Sequence, residues 1–228
     1  MSGASDTKPM MILDTWKAAW RHVAFRVETV ATFVLLVIVL GLFSRFLEWV
    51  ELRNGASISD PIIATIAARD FTWPIFLLIY GGLILGLATL AAHPVRLIAA
   101  VQSYILMVLI RFVVMYVTPF DPPPGIIPLA DPFVQFFGSG SVPTKDLFFS
   151  GHTATLLLLS FAARRNGLKL SFALCAFIVA VLIVWQHVHY TVDVLVAPFV
   201  AYASYRSVVF FQQHILGNEI QSENRNSI

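Results

Sequence analysis

Two histidines and an aspartate stand close together in the segment WQHVHYTVDVLV, residues 185–196. His189 and Asp193 are four residues apart, so on a helix they lie on the same face, one turn from each other. A carboxylate in that position accepts the proton of one imidazole nitrogen and makes the other nitrogen more nucleophilic. The spacing therefore predicts a general base or a nucleophile. The alternative is a buried pair whose partners only satisfy each other.

A second group of reactive residue types begins at Asp146, in the segment DLFFSGHTATLLLL. Ser150 is of the residue type that caps helix N-termini, and the open backbone N–H groups of such a terminus bind phosphate. Gly151 follows, and His152 would then stand beside the bound anion. Alone, the Ser-Gly-His sequence is a weak signal, because Ser-Gly occurs at many helix starts and a single histidine there can be a polar interface residue.

Arg111 lies near the end of an apolar segment, within LIRFVVMYVTPF. A cation at that depth needs an anion or a water-filled cavity, and the planar guanidinium group binds phosphate through parallel hydrogen bonds. The alternative is that the long side chain reaches the membrane surface.

Together these groups predict a phosphoryl-transfer site. His189 attacks phosphorus and forms a phosphohistidine, while His152 donates a proton to the departing alkoxide and later accepts one from the acceptor. Cationic groups neutralise the charge that develops on the phosphoryl oxygens. The predicted substrate-binding residues are Arg111, Ser150, Gly151 and Tyr190.

Neither a cofactor nor a metal is predicted. His187 and His189 are two residues apart, and nothing resembles a HExxH or Cys/His ligand set. The single cysteine, Cys175, cannot build a disulfide framework. Nucleic acid is not an expected partner either, because no cluster of Lys and Arg is interleaved with aromatic residues.

The composition predicts an integral membrane protein, since 58% of the 228 residues are hydrophobic and only 12% are charged. Six apolar segments are long enough to span a bilayer, which predicts an all-α, polytopic membrane protein with six transmembrane helices. The segments are residues 28–50, 71–92, 95–118, 147–164, 168–188 and 190–211. They form one catalytic membrane domain, 28–211, between cytoplasmic segments 1–27 and 212–228.

Most lysines and arginines lie on one side of these segments, which places both termini in the cytoplasm by the positive-inside rule. The 51–70 loop, the 119–146 loop and the turn at His187–His189 then share the extracytoplasmic face, and the reactive residues lie there. The 119–146 stretch is rich in Pro and Gly, which predicts a loop or cap rather than a helix. Its aromatic residues, Phe133, Phe136 and Phe137, are expected to dip into the membrane interface.

These motifs resemble a known family. RFVVMYVTPF, DLFFSGHTATLLLLSF and HVHYTVDVLVAPFVAY are similar to motifs of the sphingomyelin synthase branch of the type 2 phosphatidic acid phosphatase (PAP2) superfamily. The resemblance runs from Arg111 to Tyr202, and it implies a six-span helical bundle with cytoplasmic termini. It also implies that His152, His189 and Asp193 form a catalytic triad and that Asp146 belongs to the same site.

The chain departs from that branch at three places. The synthases have a further acidic residue, usually Glu, in the loop before Ser-Gly-His, and the nearest candidate here is Asp131 in a shorter loop. The extended N-terminal region of the animal enzymes is missing, which suggests a bacterial member. The Lys- and Arg-containing first motif of the ordinary lipid phosphatases is also missing, which favours the synthase branch.

The preferred function is transfer of a phosphocholine or phosphoethanolamine headgroup from a glycerophospholipid to a lipid alcohol such as ceramide, with release of diacylglycerol. Membrane lipids are the expected partners. One alternative is a lipid phosphatase or phospholipase C, in which water resolves the same intermediate. Another is a proton-coupled carrier, which predicts ionisable groups through the membrane thickness and broken helices, whereas the polar residues here are expected to gather at one depth. An inactive relative with a scaffolding role is the remaining alternative.

Overall fold

Helices account for most of the chain that the structure describes. The computed structural model describes residues 12–130 and 142–226, with side chains as far as His214. Its helices are α1 (Ile12–Trp20), α2 (Val23–Glu51), α3 (Thr72–Ala91), α4 (Pro94–Val117), α5 (Gly151–Ala162), α6 (Asn166–Trp185) and α7 (Thr191–Asn226). The other regular elements of these residues are a short 3-10 helix, Ile63–Thr65, and an isolated bridge between Ala56 and Phe120. The all-α prediction is confirmed over the described ranges.

Five of the helices are long and apolar enough to cross a membrane, namely α2, α3, α4, α6 and the part of α7 that ends at His214. Helices α3 and α4 match their predicted segments within one residue at each end. Helix α2 begins five residues earlier than predicted, and α7 continues past residue 211 to Asn226. These helices indicate a multi-pass membrane protein, while the side of the membrane on which each end lies stays a prediction.

The predicted span at residues 147–164 is a shorter helix than expected. Helix α5 has 12 residues, a length of about 18 Å, against the roughly 30 Å of a bilayer core. It begins late because Phe148 and Phe149 have left-handed backbone angles, with φ of 58° and 37°, which no α-helix contains. It ends early because Ala163 is extended. A sixth span therefore stays a prediction.

Helix α5 lies at the centre of the bundle. It packs against α3, α4, α6 and α7, and Leu156 and Ala154 on it are completely buried. Two glycines on α3 make room for it, because a Cβ atom on Gly82 or Gly86 would press against the side chain of Leu156 or Leu159. A short apolar helix is stable in this position because most of its residues are buried against the four neighbouring helices.

Three connecting segments meet at one end of the bundle, where α2, α4 and α6 end and α3, α5 and α7 begin. The Ala56 amide donates to Pro119 O at 2.9 Å, and the Asp121 amide donates to Ala56 O at 3.1 Å. The Ile127 amide donates to Gln186 O at 3.2 Å, which joins the same loop to the α6–α7 turn. The described parts of the 119–146 loop contain no helix, as predicted, while Phe133, Phe136 and Phe137 lie outside the described residues.

A cluster of polar side chains lies toward the other end of the bundle. Glu28 Oε1 on α2 accepts from Gln102 Nε2 on α4 at 2.9 Å and from Gln212 Nε2 on α7 at 3.0 Å. Gln102 Nε2 also lies 3.0 Å from Thr32 Oγ1. The expectation that the polar residues gather at one depth is therefore wrong. The cluster joins three spanning helices, α2, α4 and α7.

Substitution of Gly55 tests how closely the loop after α2 approaches the loop after α4. A Cβ atom there would overlap the backbone of Phe120 and Asp121, so Gly55→Ala must force the two loops apart. We expect a loss of about 1–3 kcal/mol in stability, seen as a lower melting temperature of the purified protein in detergent. Gly81→Ala is the matched control, because nothing lies within 4 Å of a Cβ atom at that position. Equal melting temperatures for the two variants would contradict the close approach of the loops.

Candidate active site

His189 and Asp193 form a buried hydrogen-bonded pair. The distance from His189 Nδ1 to Asp193 Oδ2 is 3.0 Å, and the exposed fractions of the two residues are 3% and 0%. The Tyr190 amide donates to the same carboxylate oxygen at 3.2 Å. Because a carboxylate only accepts, Nδ1 carries the proton in the neutral ring and the lone pair lies on Nε2. The predicted contact is therefore present, but His189 lies in the turn before α7 and not on the helix with Asp193.

The short turn between α6 and α7 holds His189 at the bundle end. Helix α6 ends at Trp185 and α7 begins at Thr191, so Asp193 lies in the first turn of α7. A negative charge is favourable in that first turn, where the helix presents unpaired N–H groups. His187 has a left-handed φ of 59°, which reverses the chain between the two helices.

The N-terminus of α5 is tied directly to this pair. Ser150 Oγ accepts from the Thr153 amide at 3.3 Å, so Ser150 is the N-cap that its residue type predicted. The Ser150 amide donates to Asp193 O at 3.1 Å. Asp193 therefore holds His189 through its side chain and the start of α5 through its backbone.

Both predicted histidines border one pocket at this end of the bundle. The pocket is small, with a cavity volume of about 30 Å³, and it is partly open to solvent. Its polar lining residues include Asp146, His152 and His189, and its apolar ones include Ile126, Leu129 and Val188. Pro143 and Thr144 also line it. Residues far apart in the sequence, including three of the predicted site residues, therefore face the same space.

Arg111 lies behind this pocket and points into the protein. Its exposed fraction is 8%, and its guanidinium group forms an ion pair with Asp146. The group sits between the rings of Phe43 and Phe149, at 5.3 and 5.6 Å from their centroids. The alternative in which Arg111 reaches the membrane surface is wrong.

Gly151 is the residue that lets the guanidinium group approach the N-terminus of α5. A Cβ atom at this position would overlap Nη1 of Arg111. The group therefore lies against the first residue of the helix, beside the backbone N–H groups that were predicted to bind phosphate. Arg111 Nε has no hydrogen-bond partner among the described residues.

Glu51 supports the loop before Asp146, and the sequence did not point to it. Its carboxylate accepts from the amides of Thr144 and Lys145, both at 2.6 Å, and from Thr144 Oγ1 at 3.0 Å. Lys145 Nζ in turn lies 2.9 Å from Asp121 Oδ1, and this hydrogen bond lowers the pKa of Asp121. Glu51 belongs to no motif, and only its position at the end of an apolar segment sets it apart.

Asp60 supports the start of α7 and was also missed. Its carboxylate accepts from the Thr191 amide at 2.6 Å and from Thr191 Oγ1 at 3.0 Å. Burial raises the pKa of Asp60, but the hydrogen bonds from Thr191 and from the Ile62 and Ile63 amides outweigh it, and the net effect is a lowered pKa. A contact between residues so distant in the sequence has no local signal.

Two other predicted site residues occupy different positions. Tyr190 is completely buried; its hydroxyl donates to Asp121 O at 3.0 Å and accepts from the Ile58 amide at 3.4 Å. Burial raises the pKa of that hydroxyl. None of the four predicted substrate-binding residues lines the pocket, so their role in substrate binding stays a prediction; they are Arg111, Ser150, Gly151 and Tyr190. Asp131 lies outside the described residues.

Within residues 12–130 and 142–214, no group of three or more His, Cys, Asp or Glu side chains is arranged to hold a metal ion. The groups that border the pocket instead offer proton transfer and nucleophilic attack. An imidazole backed by a carboxylate is the arrangement that activates a nucleophile or base, and an arginine near a helix N-terminus favours a bound anion.

Comparison with known proteins relates this site to a family. Residues 145–212 match the family model described as PAP2 superfamily C-terminal. The matched part contains Asp146, His152, His189 and Asp193, together with α5 and α6. No curated protein sequence matches the chain. The match covers 68 of the 228 residues, so it shows a similarity of this part of the chain to the C-terminal part of PAP2 superfamily proteins.

Proposed function

We propose that this protein transfers a phosphocholine or phosphoethanolamine headgroup from a glycerophospholipid to a lipid alcohol such as ceramide. The observation that carries the proposal is the pocket that His152 and His189 share, with Asp193 hydrogen-bonded to His189 from behind. Two imidazoles that border one space can act on one phosphorus atom, one as nucleophile and one as acid. The resemblance of the surrounding motifs to the sphingomyelin synthase branch favours a lipid alcohol as the acceptor.

The first half-reaction is an attack by His189 Nε2 on the phosphorus of the donor lipid. The new P–N bond forms as the P–O bond to diacylglycerol breaks, and His152 gives its proton to the departing alkoxide. Asp193 stabilises the imidazole as it gains positive charge, because the carboxylate already accepts the Nδ1 proton. The headgroup is then held as a phosphohistidine.

The second half-reaction transfers the headgroup to the acceptor. The acceptor hydroxyl gives its proton to His152, its oxygen attacks phosphorus, and the P–N bond to His189 breaks. The products are the new phospholipid and the free enzyme in its starting protonation state. No net proton is released, because the leaving group takes one proton from His152 and the acceptor hydroxyl returns one to it.

Charge on the phosphoryl oxygens is offset by Arg111 and by the N-terminus of α5. The Arg111 guanidinium group already forms an ion pair with Asp146 and lies against Gly151. A bound phosphate can share this cation with Asp146, whose carboxylate holds the guanidinium group in place. Ser150 and Gly151 supply backbone N–H groups at the same point.

The protein's location favours a lipid substrate. Five helices of the bundle are suited to crossing a membrane, and the pocket lies at the end where their loops meet. We place this end at the extracytoplasmic surface and both termini in the cytoplasm, because most lysines and arginines lie at the other end. A headgroup there is within reach while its acyl chains stay in the bilayer.

Water is the alternative acceptor, which would make the protein a lipid phosphatase or phospholipase C. The observation in favour of this alternative is that the pocket is partly open to solvent. Both reactions use the same phosphohistidine, so they differ only in the molecule that attacks it.

Substitution of the histidines tests the proposal. We expect His189→Ala to abolish diacylglycerol release from a fluorescent glycerophospholipid, because the nucleophile is lost. His152→Ala should retain slow release only from donors with a good leaving group, because these need no acid. His93→Ala is the matched control, since His93 lies at the other end of the bundle beside Arg164, and it should keep wild-type turnover. Full activity of either pocket variant would refute the assignment.

Replacement of the carboxylate tests the role of Asp193. An amide facing His189 Nδ1 favours the wrong tautomer, so Asp193→Asn should lower turnover by about three to four orders of magnitude with little change in melting temperature. Asp60→Asn is the matched control, because Asp60 contacts the start of the same helix at Thr191 and not His189. A loss for Asp193→Asn no larger than that of the control would reduce Asp193 to a structural partner.

A further inference from the structure

Residues 121–129 form a strap that borders the pocket and is held to the turn that carries His189. Gln186 makes two hydrogen bonds with Ile127: its backbone O accepts from the Ile127 amide at 3.2 Å, and its Nε2 donates to Ile127 O at 3.1 Å. At the start of the strap, the Tyr190 hydroxyl donates to Asp121 O at 3.0 Å. Gln186 and Tyr190 are both completely buried, so these bonds are shielded from water.

His187 makes a further bond to the middle of the strap. Its Nδ1–H donates to Pro124 O at 2.7 Å, and its Nε2 has no hydrogen-bond partner among the described residues. The exposed fraction of His187 is 6%, and its backbone has the left-handed φ of 59°. The next strap residue, Gly125, is left-handed as well, with φ of 72°. A buried histidine with a left-handed backbone is costly, and its hydrogen bond to the strap offsets part of that cost. The proposed mechanism gives His187 no part in the chemistry.

The strap places two apolar side chains at the pocket, those of Ile126 and Leu129. Leu129 has an exposed fraction of 6% and belongs to a buried cluster with Ile75, Val179 and Ile183 from α3 and α6. Ile127, between them, does not border the pocket. The apolar part of the pocket wall is therefore fixed to the helical core at Leu129 and to the α6–α7 turn at Gln186, His187 and Tyr190.

A phosphohistidine in this pocket can be attacked by a lipid alcohol or by water. In either case the P–N bond to His189 breaks, a P–O bond forms and the attacking hydroxyl loses its proton to His152. Water is smaller and far more abundant than a lipid alcohol, so transfer requires that water be kept from the phosphorus. Ile126 and Leu129 offer no side-chain hydrogen-bonding group, so they disfavour an ordered water molecule on the strap side of the pocket, while the side with Asp146, His152 and His189 is polar.

We propose that the strap selects the acceptor: Ile126 and Leu129 exclude water from the phosphohistidine and admit an apolar alcohol, and His187 is the positioning residue that holds them in place. This inference rests on the proposed function, because it concerns the fate of the same intermediate. It assigns a role to His187 that is separate from the chemistry of His152 and His189. Variation of the strap then changes the ratio of transfer to hydrolysis rather than the formation of the phosphoenzyme.

The experiment measures two products from one donor. Purified protein in phosphatidylcholine–ceramide nanodiscs is supplied with a headgroup-labelled donor. Labelled sphingolipid and free labelled phosphocholine are then measured separately in the same sample. We expect Ile126→Ala to raise the hydrolysed fraction by about fivefold or more while the total release of diacylglycerol falls much less. Ile127→Ala is the matched control, because it removes the same side-chain atoms from the neighbouring strap residue that does not border the pocket.

A second variant acts on the support of the strap instead of the wall. His187→Asn keeps a residue type that tolerates the left-handed backbone and removes the imidazole that reaches Pro124 O. We expect the hydrolysed fraction to rise here also, although Ile126 and Leu129 are both kept in this variant. Agreement between the two variants separates acceptor selection from a local packing defect at Ile126.

The outcomes distinguish this inference from the proposed function. A wild type that releases no diacylglycerol refutes the proposed function itself. A wild type that transfers the headgroup, with an unchanged hydrolysed fraction in both Ile126→Ala and His187→Asn, refutes the role of the strap alone. A wild type that uses only water contradicts the exclusion of water, and it leaves the phosphohistidine chemistry in place.

Discussion

The arrangement of the site depends on Asp193. Its side chain accepts the Nδ1 proton of His189 at 3.0 Å, and its backbone oxygen accepts the Ser150 amide at 3.1 Å. One residue therefore orients the proposed nucleophile and also anchors the helix that presents His152. A completely buried carboxylate is costly, and hydrogen bonds from His189 and Tyr190 offset part of that cost. If Asp193 were displaced, His189 and the start of α5 would no longer be held by the same residue.

The polar contacts around Asp193 follow one pattern. Buried or partly buried polar side chains hold the segments that carry the proposed reactive groups. Glu51 fixes the residues before Asp146, Asp60 fixes the start of α7, and Gln186 joins the α6–α7 turn to the strap. Such contacts restrict loops, which otherwise move more than helices. A phosphoryl-transfer site needs this order, because small displacements of reacting groups cost large factors in rate.

Local patterns in the sequence predicted part of this site. The i, i+4 spacing predicted the contact of His189 with Asp193, and the residue type of Ser150 predicted the cap of α5. The supports at Glu51 and Asp60 could not be predicted, because they depend on how distant loops meet. The length of α5 was overestimated for a similar reason: Phe148 and Phe149 are apolar, but tertiary contacts hold them in a left-handed turn and not in a helix. Hydropathy detects burial and does not distinguish a bilayer from a protein core.

The most direct test of the account is to locate the covalent intermediate. The His152→Ala protein is incubated with a phosphocholine ester of a good leaving group, quenched in alkali to preserve phosphoramidates, digested and mapped by mass spectrometry. The account predicts a phosphocholine adduct on His189, formed together with the first equivalent of released alcohol and absent from the His152→Ala, His189→Ala double variant. An adduct on another residue, or release of alcohol without any adduct, would contradict it.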